Sequence, residues 1–226
     1  MYLNTKENRF NPDFIEKIHK CLDEVEAHVG STALITTSTH KKLFSNGLDL
    51  EWVMANPEQG YWMIKNFVKL CARIAIFPIP TIAAINGHVF AGGLMFAMVH
   101  DYRYMRKKKG LLCLPEIVLP MPLPPSMTAI MSHKVSPHAY NELMFGKRFS
   151  PEESEELKII HQATEPEDLM TIAQMKAREL KKKDVDRENL QKIKYIANKP
   201  IYDNCMLPED ELKVPLPKPF KWINKL

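Results

Sequence analysis

Glycine is scarce in this sequence, and where it is placed constrains the fold more than any other feature. Three of the eight glycines, Gly87, Gly92 and Gly93, fall within seven residues of the stretch NGHVFAGGLMFAM, residues 86–98. Before them stands TIAAI (81–85), short and apolar, which reads as a buried strand. After them comes an uncharged run, 91–100, that suits a buried helix. Gly92-Gly93 then falls at the start of that helix, where the first backbone N–H groups have no intrahelical partner. With no Cβ in the way, another molecule can approach those groups closely. A strand, a glycine turn and a helix N-terminus together make a site for negative charge. Tight packing of helix on sheet also calls for small residues, and at this point both readings stand.

FSNGLDL, residues 44–50, repeats the pattern. It comes after the β-branched segment TALITT (32–37), a second candidate strand, and Gly47 permits a turn that aims a backbone N–H outward. Two such loops at strand ends of an α/β sheet can converge on one crevice. Two converging N–H donors make an oxyanion hole. Neither loop matches GxxxxGK[ST] or GxGxxG, which argues against a nucleotide-phosphate cradle.

The rest of the chain supports an α/β class. Asn11-Pro12, Ser136-Pro137 and Ser150-Pro151 each read as a cap followed by proline at the first helical position. Ser150 and Glu153 have capping-box spacing. Residues 60–76 and 168–182 are amphipathic at helical period, and 102–105 reads as a third strand, with 111–114 as a further short one. The proline-rich stretch 120–125 suits neither a regular helix nor a central strand. From residue 198 onward, proline and lysine suggest an extended tail. Strands alternate with helices in the first half and helices dominate the second, so a core over 1–164 and a helical region with a tail over 165–226 are expected.

Composition narrows the function. The net charge is +4 with basic residues dispersed, so there is no continuous basic face for nucleic acid, although the bias suits a phosphate-bearing small molecule. No apolar run is long enough to span a bilayer, and the opening residues MYLNTKE do not read as a secretory signal. Cys21, Cys71, Cys113 and Cys205 lie far apart without metal-ligand spacing, which predicts reduced thiols in an intracellular compartment.

The segments ALITTSTHKKLFSNGLDL, PIPTIAAINGHVFAGGLMFAMVHDYRYM and LPEIVLP together resemble the crotonase (enoyl-CoA hydratase/isomerase) superfamily. The resemblance runs over residues 8–162, through SPEESEELKIIHQ, with the motifs in order. FSNGLDL and HDYRYM are most similar to Δ3,Δ2-enoyl-CoA isomerases, in particular the peroxisomal type. The resemblance implies a crotonase-like spiral of β-β-α units with a helical C-terminal part. It implies that the backbone N–H groups of Leu48 and Gly92 hold a thioester oxygen and that Glu116 is the acid and base. Ser45, Gly47, Asp49, Leu50, Ala91, Gly93, Met95 and Pro115 would surround the substrate. The acyl chain would pass Leu94, Met95 and the 120–125 region. The substrate implied is an acyl-CoA, so coenzyme A arrives with it, and neither a metal nor a separate cofactor is expected. A homotrimer or hexamer is also implied.

Met95 stands where hydratases of the superfamily carry a second glutamate that holds water, which favours double-bond migration over hydration. Read from the residues alone, Glu116 is also a plausible loop carboxylate and Met95 a core methionine. His88, beside the glycine turn, reads as either a substrate contact or a hydrogen-bonded structural histidine. Asp49 and Asp101 suit loop or helix-end hydrogen bonding, and His100 has no evident carboxylate partner or nucleophile. The first strand of the family is expected to be shortened or missing, and the region after 165 departs from the family pattern. Another acyl-CoA reaction, hydration or thioester hydrolysis, and a non-catalytic scaffold subunit therefore stay open as alternatives. The last three residues, Asn224-Lys225-Leu226, are similar to a peroxisomal address.

Overall fold

The computed structural model describes residues 1–118 and 122–212. Residues 119–121, which include the start of the proline-rich stretch 120–125, and the tail bearing Asn224-Lys225-Leu226 lie outside the described residues. Within them the chain repeats one unit three times: a strand for a large sheet, a strand for a small sheet, then helix.

β1 (Tyr2–Leu3) and β2 (Arg9–Phe10) precede α1 (Pro12–Ala27), which opens on the expected Asn11 cap, its side chain accepting the Phe14 N–H. The first unit is β3 (Leu34–Ser38) and β4 (Leu43–Ser45), followed by β5 (Gly47–Leu48), α2 (Leu50–Ala55) and α3 (Gly60–Ala75). The second is β6 (Thr81–Ile85), β7 (His88–Phe90) and α4 (Gly92–Met98). The third is β8 (Tyr102–Arg106) and β9 (Leu112–Cys113), then α5 (Pro125–Lys134), α6 (Pro137–Met144) and α7 (Pro151–Glu156). α7 carries the expected Ser150–Glu153 capping box. β10 (Gln162–Thr164), α8 (Leu169–Lys181), α9 (Arg187–Ala197) and α10 (Lys199–Met206) complete the chain.

All pairings between these strands are parallel. The large sheet runs β1-β3-β6-β8-β10 and the small one β4-β7-β9, while β2 pairs with β5. Parallel strands covered on both faces carry near-continuous apolar sequence, and every residue of β6 is buried. Ala83 and Ile85 face the main core, whereas Ile82 and Ala84 pack with Leu169 and Ala173 of α8. In the main core Phe10, Phe67 and Phe96 meet with ring centroids 4.9 and 5.1 Å apart.

Two details refine the sequence reading. The first strand is present but short: Tyr2 and Leu3 pair with Thr37 and Ser38, and Thr37 N–H and Thr39 N–H bond Met1 O and Leu3 O. Within the expected tail, residues 199–206 are not extended; they form α10, whose Ile201 and Cys205 are buried between α3 and α5, and the part of that tail beyond 212 lies outside the described residues. Pro200 lies in the first turn of this helix, where a missing N–H costs nothing. Its proline was a helix start rather than a marker of extended chain. The arm formed by α9 and α10 is tied down by buried polar contacts. Lys194 Nζ donates to Ile79 O and the Asp101 carboxylate, and Asn198 Nδ2 donates to Ala75 O.

Candidate functional site

Because β4, β7 and β9 are parallel, their C-terminal ends lie along one edge of the small sheet, with β7 in the middle. Ligands of open parallel sheets bind at that edge. Each strand runs into residues singled out in the sequence. β4 leads into Gly47 and Leu48, β7 into Ala91 and Gly92, and β9 into Pro115 and Glu116.

The first two turns touch. A Cβ on Gly47 would stand 2.7 Å from Gly92 N and 2.9 Å from Ala91 Cβ, and one on Gly92 would stand 3.4 Å from Leu48 N. Gly47 also has φ +83°. Only glycine combines that backbone with so close an approach. Asp49 N–H, next to Leu48, bonds Phe10 O at 2.9 Å. Alternate residues of a parallel strand direct their amides at the same neighbour, so the Leu48 amide faces away from β2. Gly92 is the first residue of α4, where the amide has no intrahelical partner. Ala91 before it holds φ 51° and ψ −130°, a conformation L-residues rarely adopt. Such strain costs about 1–3 kcal/mol and collects at functional turns. Ala91 is fixed there by its N–H to Cys113 O at 3.1 Å and by its carbonyl, which accepts from Leu94 and Met95.

Glu116 lies three residues beyond that same Cys113. Pro115, buried, opens the 3-10 turn Pro115–Val118 that carries it. The Glu116 residue is 8% exposed, and its Oε2 has no hydrogen-bond partner among the described residues. Burial pushes its pKa from 4.5 up to about 7, against a smaller opposing pull from its own backbone N–H. A carboxyl poised near neutrality can both take and return a proton.

The other expected residues divide. Ser45 and Gly93 are in contact: a Cβ on Gly93 would meet Ser45 O, Cβ and Oγ at 2.6–2.7 Å. Ser45 itself is fully buried. Asp49 caps α2, accepting from Trp52 N–H at 3.1 Å and from Asn11 Nδ2 at 3.2 Å. Leu50, half-buried, packs on the core beside it. Leu94 and Met95 are fully buried in the main core. Asp101 holds Thr81 N–H and Lys194, and His100 bonds Phe96 O and Thr36 Oγ1. His88 sits at the start of β7, at the far end from Gly92, stacked on Phe90. Burial, with Arg148 nearby, lowers its pKa. Sequence reasoning missed Asn8, a buried residue at φ 47° that bonds Ser38, Phe44 and Ser45. The tolerance of asparagine for positive φ was its only signal. Among the described residues, no three His, Cys, Asp or Glu side chains gather as metal ligands. No helix there is long and apolar enough to cross a membrane.

Comparison with known proteins finds similar sequences and similar folds. A family model described as "Enoyl-CoA hydratase/isomerase" matches residues 1–204. Enoyl-CoA delta isomerase 3 of Arabidopsis thaliana is 37% identical over 163 residues, 70% of this chain and 68% of that protein. Enoyl-CoA delta isomerase 2, peroxisomal, of the same plant is 34% identical over 165 residues, 70% of this chain and 69% of that one. The crystal structure of human mitochondrial delta3-delta2-enoyl-CoA isomerase superposes with a TM-score of 0.83 at 22% identity, covering 92% of this chain and 82% of that one. An enoyl-CoA hydratase/isomerase family protein of Pseudomonas syringae gives 0.84 at 22% identity, covering 93% and 90%. The expected fold of β-β-α units with a helical C-terminal part is thereby established.

Proposed function

This chain belongs to the enoyl-CoA hydratase/isomerase family, the crotonase superfamily, and from that premise we propose that it is a Δ3,Δ2-enoyl-CoA isomerase acting on unsaturated fatty acyl-CoA. The observation that carries the reading is the buried carboxyl oxygen of Glu116, without a hydrogen-bond partner among the described residues, at the strand edge that also delivers Leu48 and Gly92. The thioester oxygen of a 3-enoyl-CoA lies between the two amides. Glu116 removes a C2 proton, and the negative charge moves onto that oxygen as a dienolate. Both N–H groups stabilise it, each contributing roughly a hundred- to a thousandfold in rate. Glu116 then returns the proton to C4, leaving the double bond between C2 and C3.

Migration is favoured over hydration by Met95. Its side chain is fully buried among apolar neighbours, and a thioether neither ionises nor orients an attacking water. The acyl chain passes Leu94 and Met95, Leu50 and Pro115 stand beside the substrate, and Ala91, Gly93 and Gly47 shape the amide turns. A place in fatty-acid oxidation belongs to the same reading, and the names of two Arabidopsis thaliana relatives, enoyl-CoA delta isomerases 1 and 2, include the word peroxisomal. On those names the peroxisome is the proposed compartment. Assembly as a homotrimer or hexamer belongs to the same reading and is measured by light scattering.

The test is Glu116→Gln assayed with a 3-enoyl-CoA. Conversion to the 2-enoyl product is expected to fall at least about a thousandfold while acyl-CoA still binds. Turnover within about tenfold of the parent, or a 3-hydroxyacyl product from the parent, overturns the assignment.

A further inference from the structure

The proposed site needs two amides from separate turns to converge on one oxygen, and one residue touches both turns. Ser45 ends β4 and is fully buried. Its hydroxyl has a single proton, which it donates to Asn8 O at 2.7 Å. The same oxygen accepts Gly47 N–H at 3.1 Å. On its other side, Ser45 fills the space where Gly93 lacks a Cβ. We propose that Ser45 is the positioning residue of the oxyanion hole, and that Asn8 behind it fixes where Ser45 stands. The proposal rests on the isomerase reading and changes the part assigned to Ser45, from a substrate contact to a support.

The Leu48 amide lies between two tethered neighbours. Gly47 N–H is held by Ser45 Oγ and Asp49 N–H by Phe10 O. With both flanking amides bound, the peptide plane carrying Leu48 N–H cannot rotate freely, and its direction is set. Ser45 simultaneously bears on the second residue of α4, so the Gly92 turn keeps its place relative to Leu48. The carbonyl that receives the Ser45 proton is itself locked. Asn8 uses both Nδ2 protons, on Ser38 Oγ at 2.7 Å and Phe44 O at 2.8 Å, and its Oδ1 accepts Thr5 N–H at 2.9 Å. The support therefore runs from the end of β3 through Asn8 and Ser45 to the turn that presents Leu48. Misplacing a catalytic group by about 1 Å costs up to a hundredfold in rate. A hydroxyl that touches no substrate thus acts on the transition state through the amide it aims.

The experiment uses Ser45→Ala in the full chain, with two readouts. In turnover of a 3-enoyl-CoA, kcat is expected to fall about ten- to a hundredfold, with KM changed less than about threefold and the pH midpoint of the parent retained. In binding of 2,4-hexadienoyl-CoA, the absorption band of the conjugated thioester is expected to shift to longer wavelength in the parent as the two amides polarise its carbonyl. That shift is expected to shrink in the variant. A part in folding alone moves the unfolding midpoint and leaves kcat per folded molecule and the shift as they were, and this result overturns the proposal. Should Ser45→Ala not accumulate as folded protein, Ser45→Cys keeps a side chain of similar size with a weaker donor. An intermediate loss of kcat and of the shift is then expected, and parent-like values overturn the proposal. A parent chain that does not turn over 3-enoyl-CoA overturns the isomerase reading itself, and this inference falls with it. A competent parent with unaffected variants overturns this inference alone.

Discussion

Glu116 titrates near neutrality because its side chain has been removed from water, and one of its oxygens has no partner among the described residues. Desolvation raises its pKa to about 7, and no neighbouring cation among the described residues pulls it back. The consequence for catalysis has a definite sign. Only the ionised carboxylate removes a C2 proton, so kcat/KM for a 3-enoyl-CoA is expected to rise about tenfold per pH unit below about pH 7 and level off above it. A profile flat from about pH 5 to 8 would mean that a different group takes the proton. Little of this was visible in the letters LPEI. The residue type and the resemblance marked Glu116, but a loop glutamate and a buried one are written alike. Pro115 and Glu116 are buried while Ile117 and Val118 of the same turn are exposed, and the packing against this turn comes from α6, a segment later in the sequence. The same holds for Ser45, whose hydroxyl faces Asn8, 37 residues earlier.

The small sheet does what no single element can. Each of its strands has two or three residues, yet their parallel order sets the three candidate turns side by side. The contact between the first two turns leaves no room for a side chain at residue 47. Gly47→Ala would place a methyl 2.7 Å from Gly92 N in a backbone at φ +83°. It is expected to lower stability by about 1–3 kcal/mol and kcat/KM by more than about a hundredfold, since both amides are displaced together. Urea unfolding and steady-state kinetics on the same preparation check this, and an active variant of parental stability would contradict the contact. The strand–helix alternation, the caps and the glycine turns were legible from local chemistry. Which strands enter which sheet was not, because TIAAI and HVF carry no mark of their partners. α10 was misread for a related reason: its two buried residues, Ile201 and Cys205, gain their helix from the groove between α3 and α5 rather than from propensity.

Across the whole molecule, two buried groups give the stability opposite dependences on pH. His100, fully buried and held between Phe96 O and Thr36 Oγ1, has its pKa pushed from 6.5 down to about 4, chiefly by burial. Asp101, Arg103 and Lys194 nearby act in smaller and mixed directions. Unfolding lets His100 take up a proton between those values, so its contribution is complete above about pH 6.5 and is lost as pH falls toward 4. Glu116 is the reverse. Its folded pKa lies above its unfolded one, so the folded state keeps a proton that the unfolded state releases, and stability drops as pH rises from about 4.5 to 7. Each offset corresponds to about 3 kcal/mol, so between about pH 4.5 and 6.5 the two largely cancel in the parent. His161, also lowered to about 4 but exposed, adds a smaller increment with the sign of His100 because solvent screens it. Glu116→Gln removes one side of the balance. Its urea midpoint is expected to match the parent near pH 4.5 and to exceed it increasingly up to about pH 8, approaching about 3 kcal/mol of added stability. Every other titrating group is common to both proteins, so the difference curve isolates Glu116. A difference that does not grow between about pH 4.5 and 8 would show that the carboxylate is not confined in apolar surroundings. The proton transfer assigned to it would then lose its physical basis, because the strain of holding that charge dry is what readies Glu116 to accept a proton from carbon.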